Sequence, residues 1–193
     1  PSRVFAPRIR KGSCKVAVLA TNPACARAAK RAGADLIYVP VHNYRRGEAI
    51  IAGQLSQTAE QAGYPKGCIP VLPVVAHDGD SEARNCFDVW KRVQENKPVL
   101  VQNLGQIVHA RELGAQVEIG PYVPLTNRLD MQLAHDLGAT RIWLSSELTL
   151  RQIEELGEVS PVPLGATIMG YTELMITEHC LLMSQGPCNR DCA

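Results

Sequence analysis

Three of the seven cysteines sit in the final stretch of the chain, Cys180, Cys188 and Cys192, at C-x7-C-x3-C spacing beside Glu178 and His179. Thiolates are soft ligands, and several of them on a segment broken by Gly186 and Pro187 can wrap a zinc ion or an iron–sulfur cluster. The spacing fits no zinc finger. The competing reading is plain burial, since free cysteine is among the most buried residue types. Cys192 lies one residue from the last position, where no core can form around it, and this favours ligation. A four-thiolate site needs another cysteine, so the reading expects a longer parent chain to supply it. Cys14, Cys25, Cys68 and Cys86 carry no motif spacing, and an odd total is not a disulfide framework. All four are expected in core packing.

A second group of chemistry-bearing residues follows from where the strands end. Short apolar runs alternate with helical patterns along the whole chain: strands over 15–20, 35–41, 68–76, 98–102, 116–123, 141–145 and 163–169. Between them helices are expected over 24–32, from about 48 to 62, up to about 95, over 105–113, from 126–127 to 138, and after Thr149. Seven strand–helix units at this spacing require parallel strands. No G-x-G-x-x-G or Walker loop follows any strand, and no long switch-point connection interrupts the alternation. A TIM-barrel-like (β/α) barrel of the α/β class is therefore preferred to a doubly wound open sheet. With about seven units it is incomplete, its last strand lost or supplied from elsewhere.

In either architecture the carboxyl ends of the strands form the working face. Helix capping and turn chemistry explain Asn22, Asp78 and Asn127. They do not readily explain His42, His77, Glu147 and Glu173, which become the catalytic candidates. Asn103, Asn127 and Tyr171 share that rim and become substrate-binding candidates. Residues 1–13 read as a linker or entering strand, 14–171 as the barrel domain and 172–193 as a truncated cysteine-bearing segment.

At 193 residues, 46% hydrophobic and 20% charged, the chain can build one sizeable core. No apolar run approaches a membrane span and no signal peptide is recognisable, so a cytoplasmic location without membrane partners is expected. The net charge of +1 conceals an asymmetry: residues 1–50 hold ten Lys or Arg against Asp35 and Glu48. A solvated face is the preferred reading of that excess, with an RNA-facing surface as the alternative.

Several segments resemble one known family. Glu173-Leu-Met-Ile-Thr-Glu-His-Cys180 is similar to the E-L-M-I-S-E-Y/H-C stretch of the U32 family of collagenase-like peptidases. The run Ala28 to Val39, with its A-G-A-D and Tyr38, resembles that family's first crossover. Leu137 to Leu148 resembles its L-S-x-E-L segment, with Glu147 as the acid, and Asn127 matches the Asn before that helix. The resemblance implies a TIM-barrel-like catalytic domain and a peptidase. Because the family also contains cluster-dependent hydroxylases of RNA and of ubiquinone precursors, it equally implies a [4Fe–4S] cluster. Cys180, Cys188 and Cys192 match its first three ligands, and the fourth is outside this chain.

Three readings stay open at this point. They are a peptidase, a cluster-dependent hydroxylase of RNA or a small molecule, and a non-catalytic barrel module holding zinc or no metal. The remainder of a parent protein is an expected partner, and a homo-oligomer is left open.

Overall fold

The computed structural model describes residues 14–40, 42–43, 48–49, 63–75, 97–112 and 114–171. Seven short strands form one parallel sheet: β1 (Ala17–Leu19), β2 (Leu36–Pro40), β5 (Ile69–Val71), β6 (Pro98–Val101), β7 (Gln116–Ile119), β8 (Ala139–Trp143) and β9 (Leu164–Gly165), hydrogen-bonded in that spatial order. Strands β3 (His42–Asn43) and β4 (Glu48–Ala49) form a separate antiparallel pair. The helices are α1 (Pro23–Arg31), α2 (Leu104–Glu112), α3 (Arg128–Asp136) and α4 (Leu150–Val159). Sequential order with parallel pairing throughout curls the sheet into a half-barrel.

Local chemistry fixes the helices where the sequence places them. The Asn22 side chain accepts from the Cys25 N–H at 2.9 Å and Pro23 occupies the first turn of α1. Asn127 with Asp130, and Thr149 with Gln152, form capping boxes on α3 and α4. The residues that follow α1 and α3, Gly33 (φ 88) and Gly138 (φ 87), end those helices in the left-handed region that glycine adopts without penalty.

One face of the sheet is covered by these helices. Ile37, Val39, Val99, Val101, Val117, Ile119 and Ile142 pack there against Ala26, Ala29, Ile107, Ala110, Met131, Ala134 and Leu156. Small residues on α1 let its backbone approach the strands closely, and the buried apolar area of this layer is the main stabilising contribution. Two of the basic residues of the first third also tie α1 down. Arg27 donates to the Gly63 carbonyl at 2.6 Å and Lys30 to the Lys66 carbonyl at 3.2 Å.

Three expectations need correction. Glu48 does not open a helix: Glu48–Ala49 pair with His42–Asn43 as a ribbon, and residues 50–62 lie outside the described residues. The sixth strand of the sheet begins at Ala139 rather than Arg141, because a register shift between Val117 and Glu118 admits Thr140, whose hydroxyl donates to the Val117 carbonyl at 3.0 Å. Cys68 is buried as expected, whereas Cys14 and Cys25 are exposed. Cys14 precedes the first strand. Cys25 stands in the first turn of α1, whose buried positions are Ala26 and Ala29. Cys86 lies outside the described residues.

Candidate functional site

The period-2 alternation of strand side chains sorts every strand into two faces. Register lines carry Tyr38 beside Leu19 and Ile69, Leu100 beside Glu118, Glu118 beside Arg141, and Trp143 beside Gly165, all on the face opposite the helices. That face is the concave one, which a barrel turns inward. Its apolar part is Tyr38, Ile69, Val71 and Leu100, with Ala17, Leu36 and Trp143 packed against them.

A polar network stands in the middle of this face. The Tyr38 hydroxyl donates to Glu118 Oε2 at 2.5 Å, and Arg141 Nη1 donates to Glu118 Oε1 at 2.5 Å. The Tyr38 oxygen accepts in turn from Arg141 Nη1 at 3.3 Å and from Trp143 Nε1 at 3.2 Å. Tyr38 and Trp143 meet edge to face, with centroids 5.3 Å apart and planes at 86°. Strands β2 and β7 are three places apart in the sheet, roughly 14 Å if it were flat, so their side chains meet because the sheet curls.

Burial decides the electrostatics here. The side chains of Glu118 and Arg141 are 5% and 18% exposed, so each charge depends on the other for compensation. Burial, the hydrogen bond to Glu118 and the charge of that carboxylate push the Tyr38 phenol far above its ordinary value, against the pull of Arg141 and Trp143. Burial alone would lower the Arg141 guanidinium, but Glu118 and Tyr38 outweigh it and hold the group above its usual range, firmly cationic.

A prediction follows for alkaline stability. The folded Tyr38 binds its proton more tightly than the unfolded chain, whose phenol ionises near 10. The stability this confers is complete below that value and is lost as pH rises above it, by up to about 1.4 kcal/mol per pH unit. Urea unfolding between pH 9 and 11.5 should therefore fall more steeply in the wild type than in Tyr38→Phe. Parallel slopes would show that Tyr38 is not held this way.

The strand ends carry a second polar set. Asn103 Nδ2 donates to the Val74 carbonyl at 3.1 Å and its Oδ1 accepts from the Gln106 N–H at 3.0 Å. Gln106 binds the Gln102 N–H at 2.8 Å and the Pro73 carbonyl at 2.6 Å, so the ends of β5 and β6 are laced together. Gln102 lies across Gly120, where an added Cβ would stand 1.9 Å from its Oε1. Asn127 is exposed and its oxygen accepts from the N–H groups of Leu129 and Asp130. Glu147 is exposed beyond β8, its N–H bonded to Ser145 Oγ at 3.3 Å. Tyr171 is fully exposed past β9, with Ile168 and Met169 exposed just before it.

The rim candidates Asn103, Asn127, Glu147 and Tyr171 thus all follow strands, with no hydrogen bond joining any two of them. The side chain of His42, together with His77, Glu173, Cys180, Cys188 and Cys192, lies outside the described residues. Among the described residues no group of three or more His, Cys, Asp and Glu could hold a metal ion.

Tyr38, Glu118, Arg141 and Trp143 are not among the sequence candidates, which follow the strands or belong to the cysteine segment. Alternation within the strands carried the signal. Glu118 in Gln-Val-Glu-Ile and Arg141 in Ala-Thr-Arg-Ile-Trp are the charged residues of their strands, and their register pairing puts them on one face.

Parallel strands, helices on one side and a concave face bearing a compensated ion pair define a β/α-barrel type of protein, here a half-barrel. The sequence model described as peptidase family U32 matches residues 21–192. The chain belongs to peptidase family U32. No curated protein and no solved structure matches it. No described helix is long and apolar enough to cross a membrane.

Proposed function

We propose that this chain is the barrel half of a family U32 peptidase, which hydrolyses peptide bonds in substrates laid along the concave face and its carboxyl rim. The observation that supports this reading best is the Glu118–Arg141 pair with Tyr38 and Trp143. A buried ion pair is weak support for stability, since apolar replacements often do as well, so its place on the inward face speaks for a role toward ligand. Glu147 at the rim, Glu173, His42 and His77 are the proposed proton-transfer groups, and Asn103, Asn127 and Tyr171 the proposed substrate contacts. The proposed compartment is the cytoplasm. The test is mass spectrometry of a peptide mixture incubated with the chain: new termini that accumulate with time support peptidase action, and an unchanged mixture removes it.

A second reading is favoured by one observation, that the family match runs through Cys180, Cys188 and Cys192. Three thiolates suit the donor chemistry of a [4Fe–4S] cluster, whose fourth ligand would come from outside this sequence. Such a cluster, when bound, supplies one-electron chemistry, directed in this reading to hydroxylation of RNA or a small molecule. Iron and acid-labile sulfide, measured anaerobically on a form extended past Ala193, test it. Iron and sulfide that disappear in Cys188→Ala support the cluster, and equal metal content in both forms opposes the ligand role.

A further inference from the structure

We propose that Arg141 forms a carboxylate-binding subsite on the concave face. Arg141 Nη1 is fully engaged by Glu118 and Tyr38. Both Glu118 oxygens hold a donor, and the Tyr38 oxygen accepts two hydrogen bonds while its own O–H donates to Glu118. The network is complete except along one edge of the guanidinium, where Nε–H and Nη2–H have no acceptor among the described residues. These donors are not sealed off, because the partnerless buried polar side-chain atoms among the described residues are Tyr64 Oη and Gln102 Oε1.

Nε–H and one Nη2–H run parallel, spaced for the two oxygens of one carboxylate. Glu118 already neutralises Arg141, so a ligand anion is held through directional bonds more than through charge. No other inward-facing strand position among the described residues carries a cation. A doubly charged phosphate would go uncompensated there, and an RNA backbone would lack the row of cations it needs. A planar monoanion suits the site. Trp143, two residues along β8 and bonded to the same Tyr38 hydroxyl as Arg141, belongs to this network, its indole laid over Gly165.

The carboxylate could belong to the C-terminus of a peptide or to a free organic acid. This subsite rests on the reading of the concave face as the binding face, but not on peptide hydrolysis. The sequence has two tryptophans, so Trp90→Phe leaves Trp143 as the sole indole reporter. Its fluorescence is titrated with an N-acetyl dipeptide acid, the matching dipeptide amide, benzoate and benzamide. At least one acid should bind with its amide at least tenfold weaker, and Arg141→Lys, which keeps the charge beside Glu118 but not the fork, should weaken that acid about tenfold or more. Thermal unfolding of Arg141→Lys confirms that it is folded. Should it fail to fold, the acid–amide difference in the Trp90→Phe protein decides alone.

Binding by the dipeptide acid identifies a peptide terminus as the source. Binding by benzoate alone supports the subsite while counting against the peptidase reading. The proposal is overturned if neither acid binds at about 10 mM, if the amides bind as well as the acids, or if folded Arg141→Lys binds the acid unchanged.

Discussion

Arg141→Ala is expected to lower the stability of the fold by about 3–5 kcal/mol, because it leaves the Glu118 carboxylate buried with Tyr38 as its one remaining side-chain donor. The loss should be far smaller when both charges go together. Glu118→Leu with Arg141→Met removes the need for compensation while filling similar volume, and it should stay within about 2 kcal/mol of the wild type. With Glu118→Leu and Arg141→Met as its single-mutant corners, a double-mutant cycle in urea ought to show a coupling of at least about 2 kcal/mol. Additive losses would mean that the two groups do not depend on each other. The cycle matters for function because it separates the folding contribution of the pair from whatever ligand binding it performs.

Gly165→Ala should be a damaging single-methyl addition on the concave face. A Cβ there would stand 2.5, 2.6 and 2.8 Å from three atoms of the Trp143 ring, closer than any real carbon contact. The flexible end of a side chain could yield, but this indole is fixed by its Nε1 donation to Tyr38 and by the edge-to-face contact. Overpacking of this kind costs about 1–3 kcal/mol. The displaced ring would also release Tyr38, so the near-ultraviolet circular dichroism and the indole N–H resonance of Trp143 should both change. A variant with wild-type unfolding and an unshifted indole signal would show that the ring is free to move. The bare glycine under an aromatic neighbour is a known means of stabilising a sheet edge, and β9 is such an edge among the described strands.

All seven strands of the sheet were legible in the sequence because each is an apolar run closed by a turn residue, and helix caps such as Asn22, Asn127 and Thr149 announce themselves by type. Boundaries were less legible where tertiary pairing sets them. Thr140 enters β8 through a bulge opposite Val117, which no local pattern reveals. The ribbon of His42–Asn43 with Glu48–Ala49 escaped for the same reason, since two-residue strands have no periodicity to detect.

The network of the concave face is a long-range object. Tyr38 and Glu118 are 80 residues apart, and Tyr38 and Trp143 are 105. Each residue alone reads as an ordinary strand position, and only curvature brings them together. Cysteine's preference for burial is a statistical tendency: helix phase overrides it at Cys25, and Cys14 lies ahead of the first strand, outside the packed layer.

If substrate is held on the concave face, kcat/KM for peptide cleavage by three proteins tests it most directly. They are the wild type, Arg141→Lys on the concave face, and Arg151→Ala, whose side chain is exposed on α4. The expected result is cleavage by the wild type, a fall of about tenfold or more in Arg141→Lys, and a value within about twofold of wild type in Arg151→Ala. Equal cleavage by the wild type and a folded Arg141→Lys, or no cleavage by the wild type, would contradict it.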